Sequence, residues 1–226
     1  MKTIKMTGNF GSTLFYEHPI IDNTEEGIVI ECPISGYVYV KNLYECNTYE
    51  YHCNTIISQK KKLFQKLKEE KYKIYFINNG FINCKGYVNL PIFDLSYGNV
   101  STEVNITYDY YIRVAIGRAE QFINFANSFR IKNASNGEIY QNILNKEIEK
   151  NIREILSKEL TEHSVTSIQA KVNNLCFKIT QQLNSNNSHL YNWGISVENF
   201  SFDIIEDYSH REEKKRVEHN QELYNR

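Results

Sequence analysis

From position 100 to position 114 the chain alternates. Val100, Thr102, Val104, Ile106, Tyr108, Tyr110, Ile112 and Val114 take every second place, while Ser101, Glu103, Asn105, Thr107, Asp109 and Arg113 between them are polar. Successive side chains of a β-strand point to opposite faces. A period of two held over fifteen residues therefore predicts one long strand with a buried face and a wet face. Strands wetted on one side belong to antiparallel sheets, because parallel sheets are covered on both.

Other segments build outward from this strand. Residues 1–26 read as an irregular lead-in. Strands are predicted at 27–31, 37–41 and 49–57, rich in Ile, Val and Tyr and broken by Pro33, Gly36 and Asn47. Residues 72–78 form another, and the Asn79-Gly80 turn signal predicts that 81–88 returns as its hairpin partner. Helical spacing then takes over. A short helix spans 119–129 with Phe122, Ile123 and Ala126 inward. A long one spans 136–160 on Ile139, Ile143, Ile148, Ile152, Ile155 and Leu160. A third runs over 165–183 on Ile168, Val172, Leu175, Ile179 and Leu183, with Ser164 as N-cap and the Asn/Ser run at 184–188 as its stop.

The last strand, 194–205, changes phase. Its apolar residues are odd at Ile195 and Val197 and even at Phe200, Phe202 and Ile204. Such a slip needs an extra residue, so a β-bulge is predicted near Glu198-Asn199. Ser209 with Glu212 makes a capping box that opens a charged terminal helix. Strands, then helices, then a strand and a polar helix describe an α+β domain with mainly antiparallel pairing, its helices packed on the sheet. The division is a lead-in at 1–26, a domain at 27–207 with subdomains at 27–70 and 71–207, and a charged helix at 208–226.

Composition narrows the function. The 226 residues carry 26 Lys+Arg against 27 Asp+Glu, a formal net charge of −1, and general nucleic-acid binders are markedly basic. Nucleic acid is therefore not an expected partner. The longest nearly apolar stretch, 28–34, is interrupted by Glu31 and falls far short of the ~20 residues of a membrane-crossing helix. No signal-peptide pattern opens the chain, and five scattered cysteines fit a reducing compartment, so the expected location is cytoplasmic. The glycosylation patterns at Asn99, Asn105, Asn133 and Asn199 are then chance matches in an Asn-rich chain.

Cys46, His52 and Cys53 form the one tight Cys/His group, but six residues separate the two cysteines and no second pair exists. They are weak metal candidates beside the expectation of partly buried strand thiols. Cys32, Cys84 and Cys176 sit in apolar contexts and read as inert core thiols. Phosphate-binding glycine loops and Gly-x-Ser-x-Gly are both absent, so no catalytic residue and no cofactor is expected. Residues 60–71 carry six lysines. Lys60, Lys61, Lys62, Leu63, Phe64 and Leu67 make a basic amphipathic segment suited to an anionic membrane surface, or else a solvated helix. In the terminal helix His210, Lys214, Val217, Gln221 and Tyr224 fall at alternating spacings of four and three, a candidate self-association seam.

Taken in order, several pieces resemble one family. Lys71-Tyr72-Lys73-Ile74-Tyr75-Phe76-Ile77-Asn78 is similar to the strand opening the second half of the stomatin/prohibitin/flotillin domain, also called SPFH or band 7. The nearest likeness is to the soluble bacterial branch named after a poxvirus virion core protein. Lys85-Gly86 stands where that branch has a lysine-glycine turn, followed by Pro91-Ile92-Phe93-Asp94 and the alternating strand. Arg118-Ala119-Glu120-Gln121-Phe122-Ile123 resembles the start of its next helix, and Trp193-Gly194-Ile195-Ser196-Val197-Glu198-Asn199-Phe200 its closing strand. Tyr87 follows Gly86 where that branch often carries tryptophan. The resemblance implies an SPFH-type fold and a non-enzymatic scaffold. Such a scaffold forms homo-oligomers, recruits other proteins, and can sit peripherally on the inner membrane face. The alternatives are a soluble interaction module without large assembly, and a metal protein or enzyme using Cys46, His52 and Cys53.

Overall fold

The computed structural model describes residues 2–6, 10, 14–23, 27–32, 36–52, 55–58, 70–94, 100–129, 137–162, 165–206, 215–216 and 218–223. In chain order the strands are β1 (Lys2–Lys5), β2 (Phe15–Asn23), β3 (Gly27–Glu31), β4 (Gly36–Asn42), β5 (Thr48–His52), β6 (Thr55–Ser58), β7 (Glu70–Asn78), β8 (Ile82–Asp94) and β9 (Val100–Val114). Helices α1 (Ala119–Ser128), α2 (Gly137–Glu162), α3 (Val165–Ala170), α4 (Val172–Leu183) and α5 (His189–Asn192) follow, and β10 (Ile195–Glu206) closes the series. The class is α+β, and the pairings within the first two sheets are antiparallel except for β1 with β3.

The chain divides into two units, neither of them continuous in sequence. One comprises residues 1–82, 112–140 and 192–196, and the other 83–111, 141–191 and 197–226. This differs from the expected division at 70/71. Strands β8, β9 and β10 each run across a unit boundary, which a reading of contiguous segments does not detect.

In the first unit a three-stranded sheet, β1-β3-β6, and a four-stranded sheet, β2-β7-β4-β5, enclose a core between them. Ile4, Ile28 and Ile30 come from the smaller sheet and Ile21, Val38, Val40, Ile74 and Phe76 from the larger. The opposite face of the larger sheet carries Phe15, Tyr37, Tyr39, Tyr75 and Ile77, also buried. Helix α1 covers that face, and Phe122 meets the Phe15 ring edge-on at 5.5 Å. A sheet covered on both sides explains why β4 and β7 are apolar or aromatic at nearly every position instead of alternating.

The lead-in expectation for residues 1–26 is corrected here, since β1 and β2 lie within it. Strand β2 pairs antiparallel with β7 but shifts register between His18 and Ile21, around Pro19. An edge strand tolerates proline and a bulge, and together they hide its period from the sequence. The hairpin expected between 72–78 and 81–88 does not form either. Both edges of β7 are taken, by β2 and β4, while β8 pairs with β9 in a different sheet. Asn78 Oδ1 does accept the Gly80 N–H at 2.8 Å, but Gly80 lacks the positive φ of a tight hairpin turn, so the chain bends away. The single strand expected at 49–57 is two strands, β5 and β6, in two sheets.

The second unit holds most of the sheet β10-β9-β8 together with α2 to α5. Val104, Ile106, Tyr108 and Tyr110 of β9 are buried, and the residues between them are not. The buried row continues through Ile112 and Val114 in the first unit. Helix α2 buries Leu144, Ile148, Ile152 and Leu156, an unbroken spacing of four; Ile143 and Ile155, expected inside, are half-buried at the rim. The third helix is divided at Lys171 into α3 and α4, which buries Leu175, Ile179 and Leu183.

Polar contacts dock the helices on the sheet, as their apolar faces require. Asn145 of α2 accepts the Tyr110 hydroxyl at 2.6 Å and donates to the Lys85 carbonyl at 3.2 Å. Asn184, at the end of α4, pairs both ways with the Val197 backbone of β10, at 2.7 and 3.0 Å. Beyond Val197 the phase of β10 changes at Asn199, whose φ is 50°. Phe200 and Phe202 are then buried, the bulge the sequence called for.

Candidate functional site

Among the described residues a polar cleft of the second unit lies between β8 and α2. It measures about 640 Å³ and is lined by Lys85, Gly86, Lys146, Glu149 and Arg153 among others. Its walls are fixed from both sides. Besides the Asn145 contacts, Arg153 donates to the Asn89 carbonyl at 2.8 Å, and Lys85 pairs with Asp109 at 3.2 Å. Lys85-Gly86 is not at a turn, as the resemblance suggested, but lies in the middle of β8. There Gly86 has a packing role. A Cβ at that position would overlap the ring and hydroxyl of Tyr108. Burial, and secondly the Glu149 carboxylate, push the Tyr108 phenol well above its ordinary pKa. It is a neutral hydrogen-bond donor at any physiological pH.

A smaller cleft, about 310 Å³, lies between α2 and the α4–α5 connection and is lined by Glu147, Lys150, Glu154, Gln182 and His189 among others. His189 Nδ1 stands 3.0 Å from Glu147 Oε1, and Gln182 donates to Glu154 at 3.4 Å. His189 is exposed, as expected of a helix-end histidine.

Residues singled out in the sequence are distributed differently. Cys46 is exposed in the turn before β5, at a φ of 57°, rather than half-buried in a strand. His52 ends β5, so the strand separates the two by on the order of 13 Å along its axis. Cys53 lies outside the described residues, and among those described no group of three or more His, Cys, Asp or Glu could hold a metal ion. The Cys84 thiol is buried and pushed up to about 11, and burial raises Cys176 as well, so neither is poised as a thiolate.

Lys60, Lys61, Lys62, Leu63, Phe64 and Leu67 lie outside the described residues, as do Ser209, His210, Glu212, Lys214, Val217 and Tyr224. Gln221 falls on a helical segment, residues 218–223, where every side chain is exposed.

Two features escaped sequence reading. The cleft cations Lys146 and Arg153 were seen only as part of a charge-alternating helix surface, and no local pattern joins them to Lys85. Glu50 of β5 accepts the Gly117 N–H at 3.0 Å and the Ala119 N–H at 3.2 Å. It caps α1, whose own N-cap residue Arg118 supplies no side-chain bond. The sequence separation hides that cap. Among the described residues no helix is long and apolar enough to cross a membrane. Compared with known proteins, the chain matches no family model and no curated relative.

Proposed function

We propose that this protein is a non-enzymatic scaffold of the SPFH type that self-associates through its C-terminal helix and recruits other proteins. The observation that carries the reading is the helical segment near the C-terminus. At residues 215–216 and 218–223 every described side chain is exposed, including Leu223 at 57%. A helix of this length is marginal alone in water, and one that buries no described side chain in its own chain calls for a neighbouring helix. The same helix of another subunit supplies the matching spacing of Lys214, Val217, Gln221 and Tyr224.

Further support comes from where the resembling motifs fall. Lys71 to Asn78 occupy β7, central in its sheet, Arg118 to Ile123 open α1, and Trp193 to Phe200 lead into β10. Trp193 stacks on Phe125 at 4.5 Å, and Gly194, at a φ of 71°, lets the backbone pass where a Cβ would come within 2.5 Å of the Arg118 carbonyl.

The scaffold would be cytoplasmic and peripheral on the inner membrane face, held by Lys60, Lys61 and Lys62. Light scattering at several concentrations, with and without vesicles, tests this. Growth of the assembly with concentration and weak, salt-released binding to anionic vesicles are expected, since screening shortens from ~10 Å at 0.1 M salt to ~3 Å at 1 M. A constant monomer mass makes the chain a soluble interaction module instead. Salt-resistant binding to neutral vesicles contradicts the electrostatic attachment.

A further inference from the structure

We propose that the Asn79-Gly80 step is a modification site, at which the chain loses ammonia and turns to isoaspartate, and that the Asn78 side chain holds the reaction back in the folded protein. The proposal is independent of the scaffold reading. It rests on the connection between β7, which ends at Asn78, and β8, which begins at Ile82. An asparagine amide is thermally labile, and a following glycine has no side chain to keep the backbone nitrogen from reaching it. The Gly80 nitrogen attacks Asn79 Cγ. The N–Cγ bond forms, the Cγ–Nδ2 bond breaks, and the Gly80 proton leaves with the ammonia. Water then opens the resulting ring at either carbonyl. One opening gives aspartate and the other isoaspartate, whose main chain runs through Cβ.

Two observations bear on this step. The first is the Gly80 N–H, which donates to Asn78 Oδ1 at 2.8 Å. Attack requires that proton to be given up, and an acceptor bonded to the neutral amide disfavours its loss. The acceptor is itself well held. Asn78 is 4% exposed, its backbone lies opposite Gly36 of β4, and its N–H donates to the Leu14 carbonyl at 2.9 Å. Gly80 also gives it room, since a Cβ there would stand only 3.0 Å from Asn78 Oδ1. The second observation is Asn79 itself. Its Oδ1 is enclosed and has no hydrogen-bond partner among the described residues. A carboxylate in that place buries a charged oxygen with no donor to meet it, so the product destabilises the connection that formed it.

The full chain is incubated at mildly alkaline pH, folded and in denaturant, and conversion at Asn79 is followed by mass spectrometry of the digested peptide. In denaturant Asn79 should keep pace with Asn136, which precedes the other Asn-Gly step of the chain. In the folded protein Asn79 should convert more than about tenfold slower, since it waits for a local opening. Asn78→Ala should speed the folded-state conversion about fivefold, the worth of one hydrogen bond. Asn79→Asp, which installs the carboxylate without altering the main chain, should lower the melting temperature. Should Asn78→Ala fail to fold, the wild-type chain in sub-denaturing urea decides instead. Hydrogen exchange at the Gly80 N–H and conversion at Asn79 should then rise together, because both need the same bond to open. No conversion in denaturant would overturn the modification site. Equal rates folded and unfolded, a folded Asn78→Ala variant with an unchanged rate, or conversion while the Gly80 N–H stays protected would overturn the restraint by Asn78. An unchanged melting temperature for Asn79→Asp would overturn the cost assigned to the product.

Discussion

Cys84 and Tyr110 show how single side chains respond to the interior. Desolvation is the first cause of the raised pKa in each, because burial takes away the water that would solvate the charged form. Burial raises the thiol's pKa in the folded state from its ordinary 9.0 to about 11, so the folded state holds the proton more tightly than the unfolded chain. Stability from Cys84 is therefore complete below pH 9 and is lost as pH rises toward 11. Denaturant midpoints measured across that window should fall, and Cys84→Ala should flatten the fall even if it lowers the midpoint at neutral pH. A thiol reagent at pH 8 should leave Cys84 unmodified until the chain unfolds. Cys84 reads as a core thiol in the sequence and is buried, although its immediate neighbours Asn83 and Lys85 are polar. Those of Cys46 did not announce a turn, because a left-handed backbone position depends on the two strands it joins.

Legibility among the elements followed how local their causes are. Strand β9 was readable because each buried residue has a polar neighbour in sequence. Ile106→Asp places an unpaired carboxylate in a fully buried site, and losses above ~4 kcal/mol come from such burial. Asn105→Asp, on the half-exposed face, should cost less than ~1 kcal/mol. Melting temperatures that fall equally for the two would remove the alternation. Helix α2 was found, but the face it buries was misjudged by one position at each rim, since Ile143 and Leu144 are equally apolar and only packing selects between them. Strands β1 and β2 were missed because one is four residues long and the other is bulged at a proline. The cap on α1 was invisible for a similar reason, its acceptor being 67 and 69 residues away. Glu50→Ala should destabilise the first unit by about 1 kcal/mol, read as a shift in denaturant midpoint, and Glu50→Gln by less because one acceptor remains.

Across the whole chain, sequence order and spatial grouping part company. The fold class was legible from the succession of strands and helices, but the two units were not, because each gathers three separate stretches. The polar cleft was hidden for the same reason. Lys85 comes from a strand, and Lys146 and Arg153 come from a helix some sixty residues on. The proposed self-association, by contrast, rests on one short segment. Light scattering on the full chain and on a chain lacking residues 210–226 tests it most directly, with melting curves recorded on both. The account predicts a smaller assembly for the shortened chain and a nearly unchanged melting temperature. An identical assembly size in both would contradict it and move the contacts into the two units.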